Sequence, residues 1–236
     1  MTAQPLDRSL LDRPLLDRPV WNALTSHWSP LAEGGPKALR LAAPYGVFAA
    51  LRDGSDESLA AMAALVPAEG AIALVEAEPP PAIPEIAVEA HLIWQMAAEG
   101  LTEAPEPAFA WEPLSDADGP QMLALATLTK PGPFFERTHQ LGEFIGVKIG
   151  GNLAAMAGER MRMSGFTEVS GVCTHPDHRG HGYAGGLSRI VAGRIFARGE
   201  IPFLHAYAHN TAATGLYESL GFALRREMHM RVLTRA

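Results

Sequence analysis

Gly171-Val172-Cys173-Thr174-His175-Pro176-Asp177-His178-Arg179-Gly180-His181-Gly182-Tyr183-Ala184 is the stretch on which the reading of this chain turns. An apolar run with strand character gives way at Pro176 to a short polar turn, and the glycines at 180 and 182 then open an amphipathic segment. In that segment Leu187, Ile190, Val191 and Ile195 recur at helical spacing. Glycines admit positive φ and let the backbone approach a ligand closely. The first free N–H groups of a helix attract phosphate. Taken alone, the junction reads equally as an anion site or as a tight strand-to-helix turn.

The residues that follow separate the two. Arg198-Gly199 stops the helix, Phe203 to His209 reads as a second strand, and Asn210 stands at an N-cap position. A helix over Thr211 to Leu220 then ends at Gly221-Phe222. Tyr217 comes seven residues after Asn210, so both lie on one helix face, roughly 10 Å apart along the axis. In this combination the chain resembles the GNAT acyltransferase superfamily. That family's phosphate motif, Arg or Gln, two residues, Gly, one residue, then Gly or Ala, is met by Arg179, Gly182 and Ala184. Its later motif, Asn, a small residue, Leu-Tyr-Glu and Gly-Phe, is met by Asn210, Ala213, Leu216-Tyr217-Glu218 and Gly221-Phe222. The two motifs stand in family order and at family distance.

The resemblance implies an α/β (α+β) fold with a central mixed, mostly antiparallel sheet flanked by helices. It implies acetyl-CoA as donor, its pyrophosphate on backbone N–H groups of Arg179, Gly180, His181, Gly182, Tyr183 and Ala184. The pantetheine arm would lie along Val172, Cys173 and Thr174, where two parallel strands splay and Gly171 eases a bulge. Asn210 and Ala213 would complete the coenzyme site, and an N–H near Cys173 would face the thioester oxygen. Tyr217 is the implied general acid: a tyrosine near 10 against a thiol near 8.5 is taken to let the proton pass to the departing thiolate. Glu168, at the start of the strand before the cradle, is the implied base, acting directly or through water. The acceptor would be an amine of a small molecule or a peptide, attacked in a ternary complex. A variable N-terminal unit ahead of the module is similar in layout to the glycine N-acyltransferase-like branch. The competing reading is a catalytically silent coenzyme A-binding module; a nucleotide-binding loop is disfavoured because no Lys-Ser/Thr follows the glycines.

Other residues carry weaker signals. His175, His178 and His181 recur every three residues, a spacing that zinc sites rarely use, so no metal is expected. His205, Tyr207 and His209 alternate along a strand and either line the acceptor pocket or pack. Cys173 has no histidine to activate it as a nucleophile. The acceptor pocket is expected around Pro131 to Leu141.

Composition bounds the setting. The chain has 236 residues, 47% of them apolar, enough for a sizeable core. A net charge of −7 argues against nucleic acid or an anionic membrane as partner and would suit a cationic amine. One cysteine fits a reducing compartment, and neither a signal peptide nor a long apolar run is visible, so a cytoplasmic location is expected. A homodimer is compatible with all of this.

Three regions are expected. Residues 1–20 repeat Leu-Asp-Arg-Pro, and prolines at that period point to an extended arm. Residues 21–106 form an N-terminal α/β unit, either a degenerate half of the same fold or a dimerisation element, with Ile86 to Met96 as strand or helix. Residues 107–236 form the acyltransferase domain, with short strands, helices over Asp116 to Thr129 and Phe134 to His139, and a hairpin turned at Gly150-Gly151-Asn152.

Overall fold

The computed structural model describes residues 13–235. Its frame is an eight-stranded sheet in the order β4-β11-β5-β10-β9-β8-β7-β6. A small three-stranded sheet precedes it: β1 (Ala32–Gly35), β2 (Ala38–Leu41) and β3 (Ala49–Leu51). The strands of the large sheet are β4 (Ile72–Glu76), β5 (Ile86–Ala97), β6 (Glu112–Leu114), β7 (Phe144–Ile149), β8 (Asn152–Met163), β9 (Phe166–Thr174), β10 (Ile201–Tyr207) and β11 (Ala223–Arg235). Every pairing in it is antiparallel except β9 with β10.

The two halves of the chain meet differently from a simple division at residue 106, and the described part of the first segment is not extended. The boundary at residue 106 does not separate two sheets. β5, from the first half of the chain, lies between β10 and β11 and pairs with both, so the N-terminal unit completes the sheet of the C-terminal one. Nor do the prolines keep the first segment extended. Pro14 and Pro19 open two short helices, α1 (Pro14–Asp17) and α2 (Pro19–Leu24), at the first-turn position where a missing N–H costs nothing. Leu16, Val20 and Leu24 from these helices are buried. Residues 1–12 of the expected arm lie outside the described residues.

The remaining helices are α3 (Asp56–Leu65), α4 (Gly119–Thr129), α5 (Tyr183–Ala197) and α6 (Thr211–Leu220). Of the expected helix over Phe134 to His139, only a 3-10 turn over Thr138–Leu141 forms. The sheet has a core on each face. On one, Leu187, Val191 and Ile195 of α5 meet Ile145, Ala157, Val169 and Leu204. On the other, α1 and α2 place Leu16, Val20 and Leu24 against Phe48, Met161, Phe203 and Met228.

Candidate active site

The site is opened by a divergence in the sheet. β9 and β10 pair only at Ile201↔Phe166, Pro202↔Thr167 and Phe203↔Glu168. Beyond that point β10 stays with β5 through Tyr207 while β9 stays with β8 through Thr174. The two strands therefore share no ladder beside Val172, Cys173 and Thr174. Gly171 makes the bend possible: its φ is +64°, and a Cβ there would come within 2.7 Å of the Phe144 ring. Only glycine meets both demands.

At the mouth of this opening the chain turns into α5. Gly180 and Gly182 both have positive φ, +82° and +75°. Gly182 is the N-cap of α5 and supplies no side chain to the helix amides. Those N–H groups, carrying the positive end of the helix, remain available to an anion. A cleft here is lined by Val172, Cys173, Thr174, Arg179, Gly180, Gly182, Tyr183, Ala184, Asn210, Ala213 and Tyr217. The buried Thr174 hydroxyl in it has no hydrogen-bond partner among the described residues. The free amides, the splayed strand and this hydroxyl together fit a coenzyme with a diphosphate and an amide-bearing arm.

Among the expected coenzyme residues His181 does not line the cleft. Its ring stacks on Tyr183 at 5.5 Å, and its Nδ1 lies 3.0 Å from the Arg179 carbonyl. His175 Nδ1 accepts from the Asp177 N–H at 3.3 Å. Asn210 caps α6, its Oδ1 accepting from the Ala213 N–H at 3.2 Å, which fixes where that helix starts and so where Tyr217 falls. Thr129 and Lys130, which no motif marks, reach the same cleft from the end of α4, and so does Pro131, expected on the acceptor side. Lys130 is the left-handed C-cap of α4, at φ +51°, and Pro131 directly after it ends the helix where the sequence places the stop.

A second cavity, of about 150 Å³, adjoins the first. Tyr217, Asn210, Ala213 and Val172 line both. His205 and Tyr207 line it as expected of a pocket face, but His209 does not and instead stacks on Tyr207 at 5.3 Å. Of the expected Pro131 to Leu141 pocket, only residues 131–133 reach it. Arg160, Phe48 and Met230 also line it, and nothing local in the sequence marked them.

The protonation chemistry is set by burial. Burial pushes the Tyr217 phenol up to about 12, with Cys173 and Glu168 adding to the rise. It therefore stays protonated across physiological pH. The expected direction of proton transfer does not hold: a phenol at its ordinary 10 is already a weaker acid than a thiol near 8.5, and burial widens the gap. What the phenol can supply is a hydrogen bond to sulfur as negative charge develops there. Burial also lifts the Cys173 thiol, to about 11, which keeps it protonated and unreactive.

Glu168 is 1% exposed. Burial would raise its carboxyl, but the Arg160 guanidinium and hydrogen bonds from Arg160 and His205 outweigh that and hold it at about 2. Arg160 Nε and Nη2 each donate to it at 2.8 Å, and His205 Nδ1 lies 2.8 Å from Oε1. Both oxygens are committed, and so acid a carboxyl is a poor acceptor for an ammonium proton.

An anion cradle that opens through one shared tyrosine onto a second cavity is the layout of a two-substrate transferase. The comparisons agree. Residues 145–232 match the family model described as FR47-like protein. A solved structure from Novosphingobium aromaticivorans, assigned to the GNAT family of acetyltransferases, is 44% identical over 95% of this chain and all of its own, with a TM-score of 0.86. The chain belongs to the GNAT family and is an acyltransferase of that type. A GCN5-related N-acetyltransferase from Kribbella flavida shares the fold at 16% identity, covering 92% of this chain and 94% of its own, with a TM-score of 0.64. A GCN5-related N-acetyltransferase-like protein from Streptococcus suis does so at 18% identity, covering 96% of each chain, with a TM-score of 0.60. No curated protein sequence matches the chain. None of these relatives supports the glycine N-acyltransferase-like placement, so the assignment rests at the superfamily. Among the described residues no helix is long and apolar enough to cross a membrane, and no three potential metal ligands cluster.

Proposed function

We propose that the chain transfers an acetyl group from acetyl-CoA to an amine of a small molecule or a peptide, by direct attack in a ternary complex. The observation that carries this reading is the position of Tyr217 on the wall common to the coenzyme cleft and the neighbouring cavity. In the reading, the diphosphate rests on the amides of residues 179–184 and the pantetheine fills the gap beside Val172 to Thr174. The amine enters from the second cavity. Its nitrogen bonds to the thioester carbon, the C–S bond breaks, the amine nitrogen gives one proton to water, and sulfur leaves as thiolate and takes one proton from water. An N–H near Cys173 stabilises the oxyanion, and Tyr217 donates a hydrogen bond to the sulfur as it leaves. Glu168 serves here by holding Arg160 and His205 in place, the amine's proton passing to water.

Calorimetric titration with acetyl-CoA, followed by thiol release over an amine panel, tests the assignment. Saturable binding and amine-dependent thiol release are expected. Absence of binding ends the proposal.

A further inference from the structure

The cavity beside Tyr217 has a charge pattern opposite to that of the whole chain. The net charge is −7, yet the charged side chains lining the cavity are Lys130 and Arg160, with no aspartate or glutamate among them. The acidity that would suit a cationic acceptor is not carried into the pocket.

Arg160 is built into this wall. β8 and β9 pair at Glu159↔Val169 and next at Arg162↔Thr167, so β8 holds one extra residue there, and the bulge sets Arg160 beside Glu168. The Nε and Nη2 edge of the guanidinium is committed to Glu168, and its face lies 4.7 Å from the centre of the Phe48 ring. Nη1 makes no hydrogen bond among the described residues, yet it is not sealed off as a buried orphan. Since Arg160 lines the cavity, this is the nitrogen free to serve a group bound there.

A chain of hydrogen bonds across five adjacent strands keeps it so. His205 Nδ1 meets Glu168, and His205 Nε2 lies 3.2 Å from Gln95 Nε2. Gln95 can point only one way, because its other contacts are the Leu16 carbonyl, which accepts, and Arg225, which donates. Its amide therefore donates to His205 Nε2, and His205 carries its proton on Nδ1, toward Glu168. Arg160 is thus a pre-oriented anion donor in a pocket otherwise walled by Phe48, Val75, Ile93, Met161 and Met230.

Resting on the acetyl-transfer reading, we propose that the acceptor is an amine that also bears a carboxylate: an amino acid with a small to medium apolar side chain. The carboxylate lies on the open edge of Arg160, with Lys130 adding positive potential, the apolar group fills the Met- and Phe-lined wall, and the amine faces Tyr217. Transfer leaves the carboxylate untouched. Polyamines bring no carboxylate for Arg160 and meet the Lys130 ammonium at the rim, so they are disfavoured.

The test uses matched pairs: valine against isobutylamine, leucine against isopentylamine, with spermidine as polycation. Each is titrated into the acetyl-CoA-saturated chain and assayed for thiol release. Amino acids should exceed their decarboxylated partners in kcat/KM by about 50-fold, mostly through KM, as charge-assisted hydrogen bonds of this kind allow. Replacing the ion pair as a unit, Arg160→Met with Glu168→Gln, should remove that preference while calorimetry shows acetyl-CoA binding retained. Lys130→Gln, at the rim, should reduce it several-fold and does not depend on the buried pair for folding. Failure of every amino acid to bind, equal or better use of the decarboxylated amines, or a preference that survives both variants overturns the proposal. If acetyl-CoA itself does not bind, it is the acetyl-transfer reading that fails.

Discussion

Tyr217→Phe removes one oxygen from the wall between the two cavities and little packing, since the ring keeps its edge contact with Phe222 at 6.1 Å. We expect turnover to fall on the order of 10²- to 10³-fold, with acetyl-CoA affinity unchanged by calorimetry. Because the phenol titrates only near 12, the native pH–rate profile should show no alkaline decline belonging to it below about pH 11. Glu168 makes a different prediction. Its folded carboxyl is depressed from 4.5 to about 2, so the stabilisation it contributes is complete above pH 4.5 and lost as pH falls toward 2. That is on the order of 3 kcal/mol. Glu168→Gln strands a buried guanidinium and should lower stability at pH 7 by about 3–5 kcal/mol. The gap between variant and native urea midpoints should then narrow steadily from pH 4.5 to pH 2.5. A constant gap contradicts the ion pair.

The elements that hold these residues differ in how openly the sequence displays them. α6 runs from Thr211 to Leu220 as its cap Asn210 and stop Gly221 predict, because both signals act within one turn of the helix they bound. The cradle was legible for the same reason. Asn210→Ala should cost about 1 kcal/mol and, by letting the first turn of α6 fray, reduce turnover more than coenzyme binding; thermal melts and steady-state kinetics read the two separately. Arg160 was invisible because its place depends on a bulge, and a bulge exists only in the register between two strands. β5 could not be told from a helix because its first half is largely exposed and its second buried, so neither period dominates. The prolines at 14 and 19 misled because proline breaks a helix only from inside; at the first turn it starts one.

The molecule as a whole is less divisible than its motifs suggest. The family model matches residues 145–232, but β11 in that span pairs along its length with β5 and over Ile72–Glu76 with β4. A chain starting at residue 107 keeps both motifs and loses the strand between β10 and β11. It should be insoluble or molten, with no cooperative thermal transition, rather than a trimmed enzyme with relaxed selectivity. A sharp transition and retained acetyl-CoA binding in that fragment would show that the N-terminal strands are dispensable.

Placing β5 between β10 and β11 also sets a timetable. A ribosome delivers residues 86–97 long before residues 201–207 and 223–235, so the middle of the sheet must wait until those later strands emerge. Until then β5, with Leu92 half exposed even in the finished fold, is an apolar ribbon without neighbours and a natural client for chaperones. Closure between segments so distant along the polypeptide should make refolding slow for its size.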